Sequence, residues 1–212
     1  MRFRSIIGSA TAIALLAVPA LTAAAPAQAQ ESSRQLGTRS LAKVLAKDGV
    51  KFDTNSGDFD IVEAAVYAVA AAKPDSPVLL LADGRQRLTA FVPTDLAFRN
   101  LVKALTGKTY YSEKRVFNKI AALVPIDLLE TTLLYHVVPG ATITAAKALQ
   151  ADGVKLATAA GPKLRVKVVG GKVKLIDKDP DTRAAVVIVP DINKGNRQIA
   201  HGINAVLLPA DL

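Results

Sequence analysis

The sequence predicts an α+β fold, with helices gathered ahead of strands. Two observations carry this. Apolar residues between positions 40 and 133 recur at helical spacings, whereas from Tyr135 onward they alternate with polar ones or run continuously, as in strands. The two patterns are also segregated along the chain, which argues against repeating βα units and a parallel doubly wound sheet.

The elements follow in order. Leu41, Val44 and Leu45 share one stripe of a short helix that Gly49 ends. Asn55-Ser56-Gly57 is a turn. Asp60 is expected to cap a longer helix, with Glu63 in the capping-box position. Ile61, Val62, Ala65, Val66 and Val69 line its inner face until Pro74. Residues 78–82 form a short apolar strand candidate, Asp83-Gly84 gives a hairpin signal, and residues 88–92 return as a strand. Thr94 is placed to cap the next helix, which carries Phe98, Leu101, Val102 and Leu105 inward and closes at Gly107. Ser112 opens a helix with Val116, Phe117 and Ile120, and Pro125 opens another with Leu129 and Leu133. A short helix near 144–150 precedes the strands. Residues 163–168 alternate strictly, Gly170-Gly171 supplies a two-residue turn, and residues 172–175 alternate again. Residues 184–189 read as a strand buried on both faces.

Residues 1–29 have the form of a signal peptide: Arg2 and Arg4, an apolar stretch over 6–21, and Ala27-Gln28-Ala29 as a small-x-small cleavage site, making Gln30 the first mature residue. Residues 30–52 form an extension with the short helix, and 53–212 the domain proper. Removing Arg2 and Arg4 lowers the net charge from +9 to +7. A basic balance favours polyanionic partners. The chain has no cysteine, which excludes disulfides, thiolate metal sites and a cysteine nucleophile. No Asn-x-Ser/Thr sequon occurs.

Three separated segments carry a family resemblance. They are Thr89-Ala90-Phe91-Val92-Pro93-Thr94-Asp95-Leu96-Ala97-Phe98, Tyr135-His136-Val137-Val138-Pro139-Gly140 and Ile199-Ala200-His201-Gly202-Ile203-Asn204-Ala205-Val206-Leu207-Leu208-Pro209. Together they resemble the signature of fasciclin-like domains, extracellular adhesion modules found also as secreted bacterial single-domain proteins. The resemblance implies a wedge-shaped β-sandwich with a layer of helices along one side. It implies structural roles for Thr94, Asp95, Tyr135, His136, His201 and Asn204. The family usually has Asp where this chain has Asn204, which removes a charge but keeps the hydrogen-bonding shape. Asp191-Ile192 resembles the Asp-Ile pair implicated in integrin recognition by animal members, and is a candidate border of an adhesion surface.

Catalytic and cofactor motifs are missing. There is no zinc-protease, nucleophile-elbow or dinucleotide fingerprint, and Val102 stands where a P-loop ending in Gly107-Lys108-Thr109 needs glycine. Asp177, Asp179 and Asp181 lack the glycine and terminal glutamate of an EF-hand and read as a solvated turn. The expected role is therefore non-catalytic binding at the cell surface or in extracellular matrix. No cofactor, nucleic-acid partner or membrane anchor after cleavage is expected. The alternative is an extracellular carrier or sensor of a small apolar ligand. The turn at Gly170-Gly171 would pair Lys167 with Lys174 and set Lys163, Arg165, Lys167, Lys172 and Lys174 on one face, a candidate site for anionic polysaccharide.

Overall fold

Seven strands join in one continuous sheet, and six α-helices pack mainly on one side of it, in a computed structural model that describes residues 35–47, 49, 51–179 and 183–210. The expected signal segment and Asp181 lie outside the described residues. The elements belong to one unit, Leu36–Leu212. In chain order the helices are α1 (Leu41–Leu45), α2 (Asp60–Ala72), α3 (Asp95–Thr106), α4 (Glu113–Leu123), α5 (Ile126–Tyr135) and α6 (Ala145–Leu149). The strands are β1 (Leu88–Pro93), β2 (Val137–Pro139), β3 (Lys155–Ala157), β4 (Lys163–Val169), β5 (Lys172–Ile176), β6 (Ala185–Ile192) and β7 (Gln198–Ile203).

The sheet order is β2-β1-β7-β6-β5-β4-β3. β1 and β7 pair in parallel, with Phe91 opposite His201, while the other pairs are antiparallel. β6 belongs to both halves of the sheet. It bonds β5 at Lys174–Val186 and β7 through two register shifts, at Val187/Val189 and Val189/Ile192. Such bulges bend a strand and raise its twist, which lets the two halves fold over each other. Gly202 allows the closest approach there, because a Cβ on it would lie 2.9 Å from the Cβ of Val189.

Two apolar clusters result. Ile61, Val69, Phe98, Val102, Val116, Ile120 and Leu133 bring the helices onto the inner half-sheet through Ala90, Val92 and Ala200. Phe91, Tyr135, Val138, Leu164, Val166, Val173, Leu175 and Ile203 fill the space between the half-sheets. Successive β1 residues thus serve opposite clusters, as strand alternation requires. β1 and β7 are the strands buried on both faces. β6 is not: Ile188 is 51% exposed and Val189 38% exposed, because the bulged stretch turns its middle toward solvent.

Three further expectations are corrected. The apolar run near 78–82 is a 3-10 helix, Pro77–Leu81, capped by Ser76, whose hydroxyl accepts from the Val78 N–H. Short apolar runs do not distinguish strand from helical turn, and β1 finds its partners in β2 and β7 rather than in a preceding hairpin arm. Asp60 is the first residue of α2, not its cap. The 177–181 segment is not simply solvated: Asp179 is buried, and the Asp177 carboxylate accepts from the Leu208 N–H at 2.9 Å.

The hairpin turn is as expected. Gly170 and Gly171 both have positive φ, 58° and 70°, a conformation glycine adopts without steric cost. The register places Lys167 opposite Lys174 and Val169 opposite Lys172. The N-terminal stretch packs onto the same core through Leu41, whose N–H donates to the Gln198 side-chain carbonyl at 2.7 Å. Gln198 is fully buried and donates in turn to the carbonyls of Leu80 and Asp83.

Candidate functional site

The first signature segment crosses from β1 into α3. The Thr94 side chain makes no capping bond, contrary to expectation; its backbone carbonyl accepts from Ala97 and Phe98. Asp95 reaches across instead. Its carboxylate accepts from the N–H groups of Ile61 at 2.9 Å and Asp60 at 3.2 Å, and so caps α2 rather than its own helix. Burial first, then a hydrogen bond with Asp58, pushes the Asp95 carboxyl up to about 8.

His136 ends α5 and ties it to the C-terminal segment. Its Nδ1 donates to the Thr132 carbonyl at 2.7 Å, and its Nε2 accepts from the Leu207 N–H at 2.9 Å. That pairing requires the neutral ring, and burial holds its pKa down at about 4. Tyr135, fully buried beside it, is pushed up to about 12, first by burial and then by the Asp177 charge.

His201 lies on β7 with its ring stacked at 5.8 Å on Phe91. Its Nε2 donates to Ile143 O, and its Nδ1 accepts from the Asp191 N–H. Burial lowers its pKa as well. Both histidines spend their two nitrogens on backbone groups. Asn204 uses its side-chain carbonyl to accept from the Val186 N–H at 2.7 Å, joining β7 to β6. Asp191 adopts a left-handed φ of 59°, its carboxylate accepting from the Ala145 N–H and pairing with Lys194 at 3.2 Å. Ile192 is half-buried against the helix-side core.

The basic face stands apart from these motifs. Lys163, Arg165, Lys167 and Lys172 are exposed and Lys174 is half-buried, while Leu164, Val166, Val173 and Leu175 are buried beneath them. β3 adds Lys155, which lies opposite Arg165 and which sequence reasoning missed. Nothing local marked it: a three-residue strand has too little alternation to reveal its face. Asp152 pairs with Lys167 at 3.5 Å, so the chain itself relieves part of the Lys167–Lys174 repulsion. Among the described residues, Lys155, Lys163, Arg165, Lys172 and Lys174 have no ion-pair partner. Beside Lys174, an open groove of about 770 Å³ runs between the sheet and α3, bordered by Arg183, Asn204 and Asn100.

A smaller apolar cleft of about 280 Å³ lies among α3, α4 and α5, lined by Phe98, Leu101, Ile120, Leu129 and Val206, with Thr132 as its polar residue.

The fasciclin domain model matches residues 63–209, well over half of the chain and all three signature segments. The chain belongs to the fasciclin domain family. Fasciclin domains are generally non-catalytic adhesion-type modules, commonly extracellular or surface-associated. The α+β fold described above is fasciclin-like. Among solved structures, the chain is similar to a FAS1 domain pair from the insect cell adhesion molecule fasciclin I, at 19% identity and a TM-score of 0.48. That match covers 68% of this chain, and the chain spans 46% of the length of the solved one. No curated protein matches. Among the described residues, no helix is long and apolar enough to cross a membrane.

Proposed function

We propose that this chain is a secreted, non-catalytic binding module that attaches to anionic polysaccharide of cell wall or matrix through the basic face of β3, β4 and β5. The single observation that carries the reading is the placement of Lys155, Lys163, Arg165, Lys167, Lys172 and Lys174 on one side of three paired strands. Their stems rise from a sheet whose opposite face is core, so the charges are held at fixed spacings along two strand directions. A linear polyanion meets such a row with several weak contacts at once. The groove beside Lys174 adds the amides of Asn100 and Asn204, groups suited to sugar hydroxyls. The leader-like residues 1–29 support export, and N-terminal sequencing at Gln30 of protein recovered from medium tests it.

The test of binding is retention on acidic polysaccharide at increasing salt. The parent should bind at low salt and lose retention steeply as the Debye length contracts from about 10 Å at 0.1 M to about 3 Å at 1 M. Changing all six cations to Gln should abolish retention and leave the melting temperature nearly unchanged. Equal retention by the folded variant defeats the proposal.

The carrier reading rests on the apolar cleft. At about 280 Å³ it falls just below the roughly 300–1,000 Å³ usual for ligand pockets. Displacement of an apolar dye by short-chain lipids is its test.

A further inference from the structure

We propose that Asp53, Asp58, Asp60, Asp95 and Glu113 form a calcium-binding site where three helices begin. Asp60, Asp95 and Glu113 are the first residues of α2, α3 and α4, and Asp53 and Asp58 come from the loop leading into α2. Carboxylate oxygens of Asp53, Asp58 and Asp60 lie within 4.8 Å of one another, as do those of Asp58, Asp95 and Glu113. Asp58 belongs to both groups and joins them. This site is separate from the basic face and its fate is independent of polysaccharide binding.

The acids are not there merely to fill helix ends. Each helix start carries roughly half a positive charge, so three supply about one and a half charges to a cluster of five acidic side chains. Backbone N–H groups of Asp53, Asp60 and Ile61 satisfy some of the oxygens. Two oxygens remain. Glu113, 1% exposed, has a buried Oε1 without a hydrogen-bond partner, and so does the half-buried Asp58 at Oδ1. A buried, uncompensated carboxylate oxygen is costly. Among the described residues no Lys or Arg forms an ion pair with Asp53, Asp58, Asp95 or Glu113. Lys47 lines the neighbouring groove with Asp58 and Asp60, and Arg99 donates to the Tyr111 carbonyl instead.

The chemistry of the donors selects the ion. Every ligand is a carboxylate oxygen, the preference of a hard cation, and neither histidine belongs to the cluster. Oxygens on opposite sides of calcium stand about 4.6–5.2 Å apart, given Ca–O distances of about 2.3–2.6 Å. The observed grouping fits that span. The exposed Asp53 and half-buried Asp58 give the ion a way in. Bound calcium would tie the 53–60 loop to the starts of α3 and α4, and so stabilise the helix layer.

The experiment is calorimetric titration of chelator-stripped protein with calcium chloride, paired with thermal melts. The parent should bind with a dissociation constant of about 0.1–1 mM, the range of extracellular calcium modules, and melt at higher temperature with calcium. Magnesium should act more weakly. Glu113→Gln and Asp58→Asn should each weaken binding by roughly tenfold or more, as expected when ligand charge is removed. Both should fold without calcium, since each removes repulsion. Should Glu113→Gln fail to fold, the half-buried Asp58→Asn decides. A parent with neither heat nor melting shift at about 10 mM calcium, well above that range, overturns the proposal. So does a folded variant that binds as tightly as the parent.

Discussion

The central β1–β7 pair and the outer β4–β5 hairpin use the same backbone geometry for opposite ends. β1 and β7 are buried along their whole length, and the polar side chains they carry, Gln198 and His201 among them, are bonded to backbone groups. The hairpin is buried on one face only, and its polar side chains are exposed apart from the half-buried Lys174. The signature residues of the family cluster in or beside the first region, where they hold the domain together. The exposed charges on which the proposed binding rests lie in the second. A family motif therefore identifies the scaffold here, while the basic face is written in ordinary strand alternation.

That contrast is open to measurement, and its largest effect should come from His136. His136→Ala leaves the Thr132 carbonyl and Leu207 N–H without partners and opens a cavity. It should cost about 3 kcal/mol and lower the melting temperature by roughly 6–12 °C in a domain of this size. An unchanged melt would show that the region is not held as described. The same histidine sets an acid limit. Its folded pKa of about 4 lies below its usual 6.5, so the unfolded state binds more protons between those values. The stabilisation is present above about pH 6.5 and is lost as pH falls toward 4, amounting to roughly 3 kcal/mol over the window. Denaturant melts of the parent and His136→Gln at pH 7 and pH 4 should show the stability gap between them shrinking by that amount. A constant gap contradicts the neutral, doubly bonded ring. The smallest effect is expected at Asn204, at the seam of the two regions. Its side chain serves as an acceptor from Val186, a role aspartate fills equally, so Asn204→Asp should shift stability by no more than about 0.5 kcal/mol. A larger loss would mean that the seam depends on the amide's donor side.

Local chemistry was legible in the sequence wherever a residue's neighbours along the chain settle its environment. Gly170-Gly171 and the flanking alternation determined the hairpin, its register and the face of Lys163, Arg165, Lys167, Lys172 and Lys174, because a two-residue turn leaves one pairing. Helical spacing determined the inward faces of α4 and α5 and, in α3, of Phe98, Leu101 and Val102 for the same reason; Leu105, also expected inward, is 44% exposed because the last turn of α3 runs out to the rim of the apolar cleft. Tertiary structure alone decided the rest. Which strand is buried twice depends on what packs across the sheet, so β1 and β7 took the place the apolar run of β6 suggested. Asp95 stands in the first turn of its own helix, yet its side chain caps α2, which begins 35 residues earlier. Lys155 joined the basic face only when β3 paired with β4. The carboxylates of Asp58, Asp95 and Glu113 met because three helices start at one point. In each case the deciding contact is between residues far apart in the chain, and the free energy that fixes it belongs to the packed core rather than to any local segment.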